Sequence, residues 1–221
     1  MLPAGLRRSV PVRVRDDVRL RALALASGLI PPRGMHSEAD LGVLREAARG
    51  AARAVEIGVY EGASALALMD ALGPGSELHL IDPFGHHPDA LPSGWGASER
   101  ATKRTVARHA RRLGALTPRV SFHVSLSRQV ALAWGARGEV DFVFIDGDHS
   151  EHGCEQDWVS WSPLVSPGGR VVFHDARVGL DGGRGLPGPS AVVARLFDGA
   201  GTPGWRVVAE ADRTVAVRRE A

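Results

Sequence analysis

At 221 residues the chain suits a single α/β domain able to bury about 70% of its unfolded surface, with no second core required. All 27 basic residues but Lys103 are arginine, yet they are scattered and the net charge is only +2, so no nucleic-acid partner is expected. The single cysteine, Cys154, excludes an intrachain disulfide framework and a cysteine-based metal site, and no uncharged apolar run reaches 18 residues; an unexported, cytoplasmic chain with no membrane partner is expected.

Residues 1–34 are arginine-rich and end in Ile30-Pro31-Pro32-Arg33-Gly34, a break that sets them apart as an N-terminal arm or lid. The arm carries one expected helix from about Asp17 to Ser27 and is the candidate surface for self-association into a homo-oligomer. A single domain is expected over 35–221. It opens with Ser37 as an N-cap and Asp40 three residues on, starting a helix through Ala48. Arg108, Arg111 and Arg112 on a later inter-strand helix read as a solvated face.

Strands are expected at Ala54–Ile57, Glu77–Ile81, Val120–Val124, Val140–Ile145 and Arg170–His174, with helix-length segments between them. That alternation implies parallel strands joined by right-handed crossovers, hence an α/β, doubly wound sheet. The ending differs: Trp205–Glu210 and Thr214–Arg218 flank a turn at Ala211-Asp212-Arg213, too short for a crossover, and form an antiparallel hairpin. The sheet is therefore mostly parallel and seven-stranded. Ser166-Pro167-Gly168-Gly169 reads as a turn before the fifth strand, and Gly179 to Gly188 as a glycine-rich loop, either disordered or a flap over the substrate.

The first strand runs into Glu56-Ile57-Gly58-Val59-Tyr60-Glu61-Gly62-Ala63-Ser64, and the second ends in Asp82, 26 residues after Glu56. A strand, a glycine-bearing turn, a helix and a second strand closed by a carboxylate suit a nucleoside-bearing cofactor. Gly58 and Gly62 let the backbone pass close to a ligand, Glu56 takes polar contacts at the strand end, and Asp82 is placed to accept both ribose hydroxyls. The third glycine of the dinucleotide fingerprint is missing, and so is Gly-Lys-Ser/Thr, which removes the P-loop reading.

Strands four and five end in Asp146-Gly147-Asp148-His149 and His174-Asp175, at the sheet edge where ligands of open α/β sheets bind. Gathering such carboxylates is costly unless protons or a cation neutralise them, which points to a divalent metal. Oxygen ligands favour magnesium, calcium or manganese; an imidazole extends the choice to iron or zinc. Ser127, at the start of the helix after strand three, is either an N-cap or a cofactor contact.

The glycine-loop motif with Asp82 resembles the cofactor loop of class I S-adenosylmethionine-dependent methyltransferases, particularly the catechol O-methyltransferase-like branch. Phe144-Ile145-Asp146-Gly147-Asp148-His149, Pro167-Gly168-Gly169 and Phe173-His174-Asp175 resemble the metal-dependent sugar O-methyltransferases of antibiotic pathways. The resemblance implies a Rossmann-like methyltransferase fold, S-adenosyl-L-methionine as cofactor and a small-molecule acceptor, such as a sugar or phenolic natural-product intermediate. It places cofactor contacts at Glu56, Gly58, Tyr60, Gly62, Ser64, Asp82, Ser127 and Asp146. It places a magnesium or manganese ion on Asp146, His174 and Asp175, and the base at Asp148, with His149 as the competing choice. The chain departs from that pattern at His174, where the relatives carry Asp. An N-methyltransferase, a metal-free enzyme with a histidine base, and a non-catalytic cofactor-binding accessory protein remain the alternatives.

Overall fold

Strands form where β-branched and aromatic residues cluster, and the first two helices are bounded by the capping chemistry of their own N-termini. The computed structural model describes residues 17–86, 97–177 and 185–220. Helix α1 (Val18–Ser27) is N-capped by Asp17, whose carboxylate accepts from the Arg19 and Leu20 amides. Helix α2 (Glu38–Ala48) starts with the full reciprocal capping box between Ser37 and Asp40. Then follow β1 (Arg53–Ile57), α3 (Ala63–Ala71), β2 (Glu77–Ile81), α4 (Glu99–Leu113), β3 (Arg119–His123), α5 (Ser127–Leu132), β4 (Val140–Ile145), α6 (Glu151–Trp161), β5 (Val165–Phe173), α7 (Pro187–Phe197), β6 (Trp205–Ala211) and β7 (Thr214–Arg219).

The strands lie in the order β3-β2-β1-β4-β5-β7-β6. All pairs from β3 to β5 are parallel, and β7 runs antiparallel to both of its neighbours. The expected seven-stranded sheet with a C-terminal hairpin is thus what the chain forms. Because β1 sits between β2 and β4, the strand order reverses there, and a crevice opens beyond the carboxyl ends of β1 and β4.

Alternation within the strands fills both faces. Phe142 and Phe144 of β4 pack with Leu44 of α2 and Leu68 of α3, while Val143 and Ile145 pack with Trp158 and Trp161 of α6 and Val192 of α7. The described residues contain no helix long and apolar enough to cross a membrane.

Three expectations change. The Ser166-Pro167-Gly168-Gly169 turn lies inside β5: the register jumps from Val140 opposite Val165 to Phe142 opposite Arg170, so these residues bulge out of the ladder without ending it. Of the glycine-rich segment, 178–184 lie outside the described residues, while Pro187 and Gly188 open α7. The arginine cluster on α4 is not simply solvated. Arg108 donates to the carbonyls of Ala26 and Leu25 at 2.9 Å, tying the end of α1 to α4.

Asp40 joins α2 to the hairpin. Its buried carboxylate accepts from the Ser37 amide, the Arg213 amide and the Thr214 hydroxyl. Burial alone would raise its pKa, but these donors and the nearby His174 hold it well below the usual carboxylate range. Asp40→Ala strands those donors in the interior, and a loss of about 3 kcal/mol in unfolding free energy is expected by urea denaturation. An unchanged midpoint would show that the donors find other partners.

Candidate active site

A cavity of about 620 Å³ opens at the reversal point, within the usual range for small-molecule sites. One wall is the β1–α3 loop. Gly58 there has φ +88°, and a Cβ on it would overlap the Asp146 carbonyl group and the Gly147 Cα. The glycine is required for the close approach of the β1 and β4 ends to each other, as well as for ligand access. Tyr60 follows at φ +51°, an unfavourable conformation for a tyrosine that costs on the order of 1 kcal/mol and is held by its surroundings. Asp82 supplies that hold: its Oδ2 accepts from the Val59 and Tyr60 amides at 2.9 and 2.8 Å, and its Oδ1 from the Phe84 amide at 2.7 Å. A carboxylate offers about four acceptor positions, so these three bonds leave one for a ligand hydroxyl.

Gly58, Tyr60, Ser64, Asp82, Ser127 and Asp146 all line the cavity; Glu56 and Gly62 do not. Glu56 is fully buried and accepts a hydrogen bond from the Ser64 hydroxyl, leaving its Oε2 without a partner. Burial, with Asp146 and Asp82 adding to it, pushes its carboxyl well above the ordinary value. Glu56 therefore sits behind the wall and anchors the Ser64 hydroxyl. Gly62 caps α3 at φ +90°. Ser127 is not an N-cap, since Leu126 holds that position; its hydroxyl donates to Asp157, which burial raises to about 7.

The ends of β4 and β5 bring Asp146, His149, His174 and Asp175 together, as adjacent parallel strands require. His149 Nε2 lies 3.3 Å from Asp146 Oδ1 and 3.5 Å from Asp175 Oδ2. His174 Nδ1 lies 3.1 Å from Asp146 Oδ1 and 3.5 Å from Asp175 Oδ2. Asp148 is exposed at the cavity rim, outside this cluster, with Oδ1 accepting from the Ser150 amide at 2.8 Å. Asp175 adopts φ +53°, a second strained residue at the site.

Two members were not legible in the sequence. His36, next to the α2 cap, places Nε2 3.0 Å from Asp146 Oδ2, with its ring centroid 4.2 Å from that of His174. Arg213, in the β6–β7 turn, donates to Asp175 Oδ1 at 2.9 Å and to the Met35 carbonyl. No local motif marks either residue, because each reaches the site only through the tertiary fold.

These basic groups change the electrostatics expected from a cluster of carboxylates. Burial would raise Asp146, but the His174 charge and the contacts from His149, His174 and His36 hold it well below the ordinary range. Burial would lower His149, but Asp146 and Asp175 raise it. Burial would likewise lower His174, yet Asp146, Asp40 and Asp175 hold it well above the ordinary imidazole value. Arg213 and the basic side chains of His149 and His174 thus lie directly against the Asp146 and Asp175 carboxylates.

Residues 55–176 match the family model described as a methyltransferase domain. Among solved structures, the chain is similar to TomG, an O-methyltransferase from Streptomyces achromogenes involved in tomaymycin synthesis and solved in complex with SAM. That likeness is 18% identity over 100% of both chains, with a TM-score of 0.61. It is also similar to an O-methyltransferase from Bacillus cereus in complex with SAH, at 17% identity over 90% of this chain and 89% of that one, TM-score 0.59. CalS11, a calicheamicin methyltransferase, matches at 15% identity over 97% of this chain and 88% of its own, TM-score 0.64. These likenesses establish a shared Rossmann-like sheet; His36 and Arg213 both lie outside the segment matched by the family model.

Proposed function

From the premise that this chain belongs to the methyltransferase-domain family, matched over 55–176 of its 221 residues, we propose that it uses S-adenosylmethionine to methylate a hydroxyl oxygen of a small molecule. The observation that carries this reading is the cavity at the strand-order reversal, with a carboxylate, Asp82, one acceptor position short of saturation beside a glycine-bearing loop. The residues fit the cofactor. Asp82 would take a ribose hydroxyl, Tyr60 and Ser64 would flank the nucleoside and its amino-acid tail, and Ser127 with Asp157 would close the far side. Oxygen as the acceptor atom and a natural-product scaffold are inferred from the sequence resemblance and from what TomG and CalS11 are named for.

When bound, S-adenosylmethionine supplies an electrophilic sulfonium methyl, so the chain must align the acceptor, exclude water and remove one proton. The His149–Asp146–His174–Asp175 cluster fixes the floor beneath the acceptor. Its carboxylates and imidazoles would also hold a divalent cation, which lowers the pKa of a bound hydroxyl. Asp148, exposed on the cavity rim and outside that charge network, would take the acceptor's proton. His149 is the weaker candidate because Asp146 and Asp175 favour its protonated form.

Asp82→Ala removes both the ribose acceptor and the brace on Val59 and Tyr60. A loss of about 1.5–3 kcal/mol in SAH binding, roughly 10- to 150-fold in Kd, is expected by calorimetry. Affinity equal to that of the unaltered chain would remove the cofactor assignment.

A further inference from the structure

We propose that His36, Asp146 and His174 bind a divalent transition ion of the zinc, manganese or iron kind in preference to magnesium. The inference rests on the proposed function only for the ion's role beside the acceptor. Ligand identity and ion class follow from the donor set alone.

The donors are already spaced as ligands. His36 Nε2 is 3.0 Å from one Asp146 oxygen and His174 Nδ1 is 3.1 Å from the other. Ligand bonds of about 2.0–2.2 Å give donor separations of about 3.0 Å on an octahedral edge and about 3.4 Å on a tetrahedral one. One donor atom from each of the three residues falls within 4.8 Å of the others. The side chains of His36 and His174 are 8% and 1% exposed, so no bulk water competes closely with them.

Orientation provides an independent observation. His174 Nε2 has no hydrogen-bond partner but faces Asp40 Oδ2 at 3.8 Å, and Asp40 is locked by Ser37, Arg213 and Thr214. A carboxylate behind an imidazole favours the proton on that nitrogen and turns the opposite lone pair toward the front, the usual support for a metal-bound histidine. With the proton on Nε2, His174 Nδ1 offers its lone pair toward an Asp146 oxygen 3.1 Å away, and a cation between the two atoms would be held by both. Two imidazoles and one carboxylate form a set that suits borderline transition ions, whereas magnesium takes oxygen ligands and retains its waters.

Asp175, which the sequence resemblance assigned to the ion, is a poorer ligand, because one of its oxygens is already paired with Arg213 at 2.9 Å. His149 and the other Asp175 oxygen form a second group around Asp146 and can complete the coordination shell. His36 replaces Asp175 in the core set, a substitution that no motif announces.

The experiment titrates the SAH-saturated chain with Zn2+, Mg2+ and Co2+ in separate calorimetric runs, and follows Co2+ by its visible d–d absorption. One equivalent of Zn2+ binding at least about tenfold more tightly than Mg2+, with Co2+ bands typical of nitrogen ligation, is expected. His36→Ala and the more conservative His36→Gln should each weaken Zn2+ binding by about 10- to 100-fold while SAH affinity stays near that of the unaltered chain. His174→Asp should shift the Zn2+/Mg2+ preference toward magnesium. No bound Zn2+ or Co2+, Mg2+ affinity equal to that of Zn2+, or unchanged Zn2+ affinity in both His36 variants would overturn the proposal. Intact SAH binding alongside such a result would leave the methyltransferase reading standing; loss of SAH binding by the unaltered chain would remove that reading instead.

Discussion

Asp148→Asn is expected to lower single-turnover methyl transfer by about two to four orders of magnitude, the range associated with a positioned general base. The substitution keeps the side chain's shape and can still accept the Ser150 amide at the turn, so the loop should hold its conformation. What it removes is a carboxylate at the cavity rim that lies outside the imidazole network around Asp146. His149→Gln should have a milder effect. His149 is held toward its protonated form by Asp146 and Asp175, and a protonated imidazole accepts no proton. Rates measured with saturating cofactor and an accepted acceptor separate the two residues. A near-normal Asp148 variant with a severely impaired His149 variant would reverse the assignment and favour the histidine-base mechanism.

Gly58→Ala should cause the largest loss of cofactor binding, at least about 100-fold in SAH affinity, with about 2–4 kcal/mol of stability lost as well. The added methyl would overlap the Asp146 carbonyl group and the Gly147 Cα, and φ +88° is a conformation that alanine adopts only under strain. Relief requires β1 and β4 to separate at their carboxyl ends, where Ile57 pairs with Ile145 and the Asp146 amide donates to the Ile57 carbonyl at 2.9 Å. The cavity floor would open with them. Gly42→Ala is the matched control: it lies in α2 with nothing within 4 Å of the added methyl, and a gain of about 0.5–1 kcal/mol is expected there. Calorimetry and urea denaturation read both variants, and unchanged affinity and midpoint for Gly58→Ala would show that the strand ends yield without cost.

What the sequence determined by itself was whatever depends on neighbours along the chain. The capping box of Ser37 and Asp40, the bounds of β2 and β4, the glycine loop after β1 and the C-terminal hairpin were all readable, because side-chain periodicity and cap chemistry act over a few residues; the hairpin turn is one residue tighter than expected, with Ala211 still in its strand. Strand alternation then carried the doubly wound parallel sheet, and the adjacency of strands four and five carried the meeting of Asp146 and His149 with His174 and Asp175 at their ends. The bulge at 166–169 escaped, since Pro and Gly mark a chain break equally well inside a ladder or before it.

Only the tertiary structure decided which further side chains join the strand-end residues in the site. His36 touches Asp146 across 110 residues, and Arg213 reaches Asp175 across 38. No local pattern encodes such contacts: α2 packs against β7 and carries the chain preceding it onto the end of β4, and the pairing of β5 with β7 sets Arg213 beside Asp175. The same packing buried Glu56 behind Ser64 and turned Arg108 from a solvated charge into the tether of α1. Long-range charge pairing depends on where whole elements dock, and docking is set by the apolar faces of the sheet rather than by the residues that become the site.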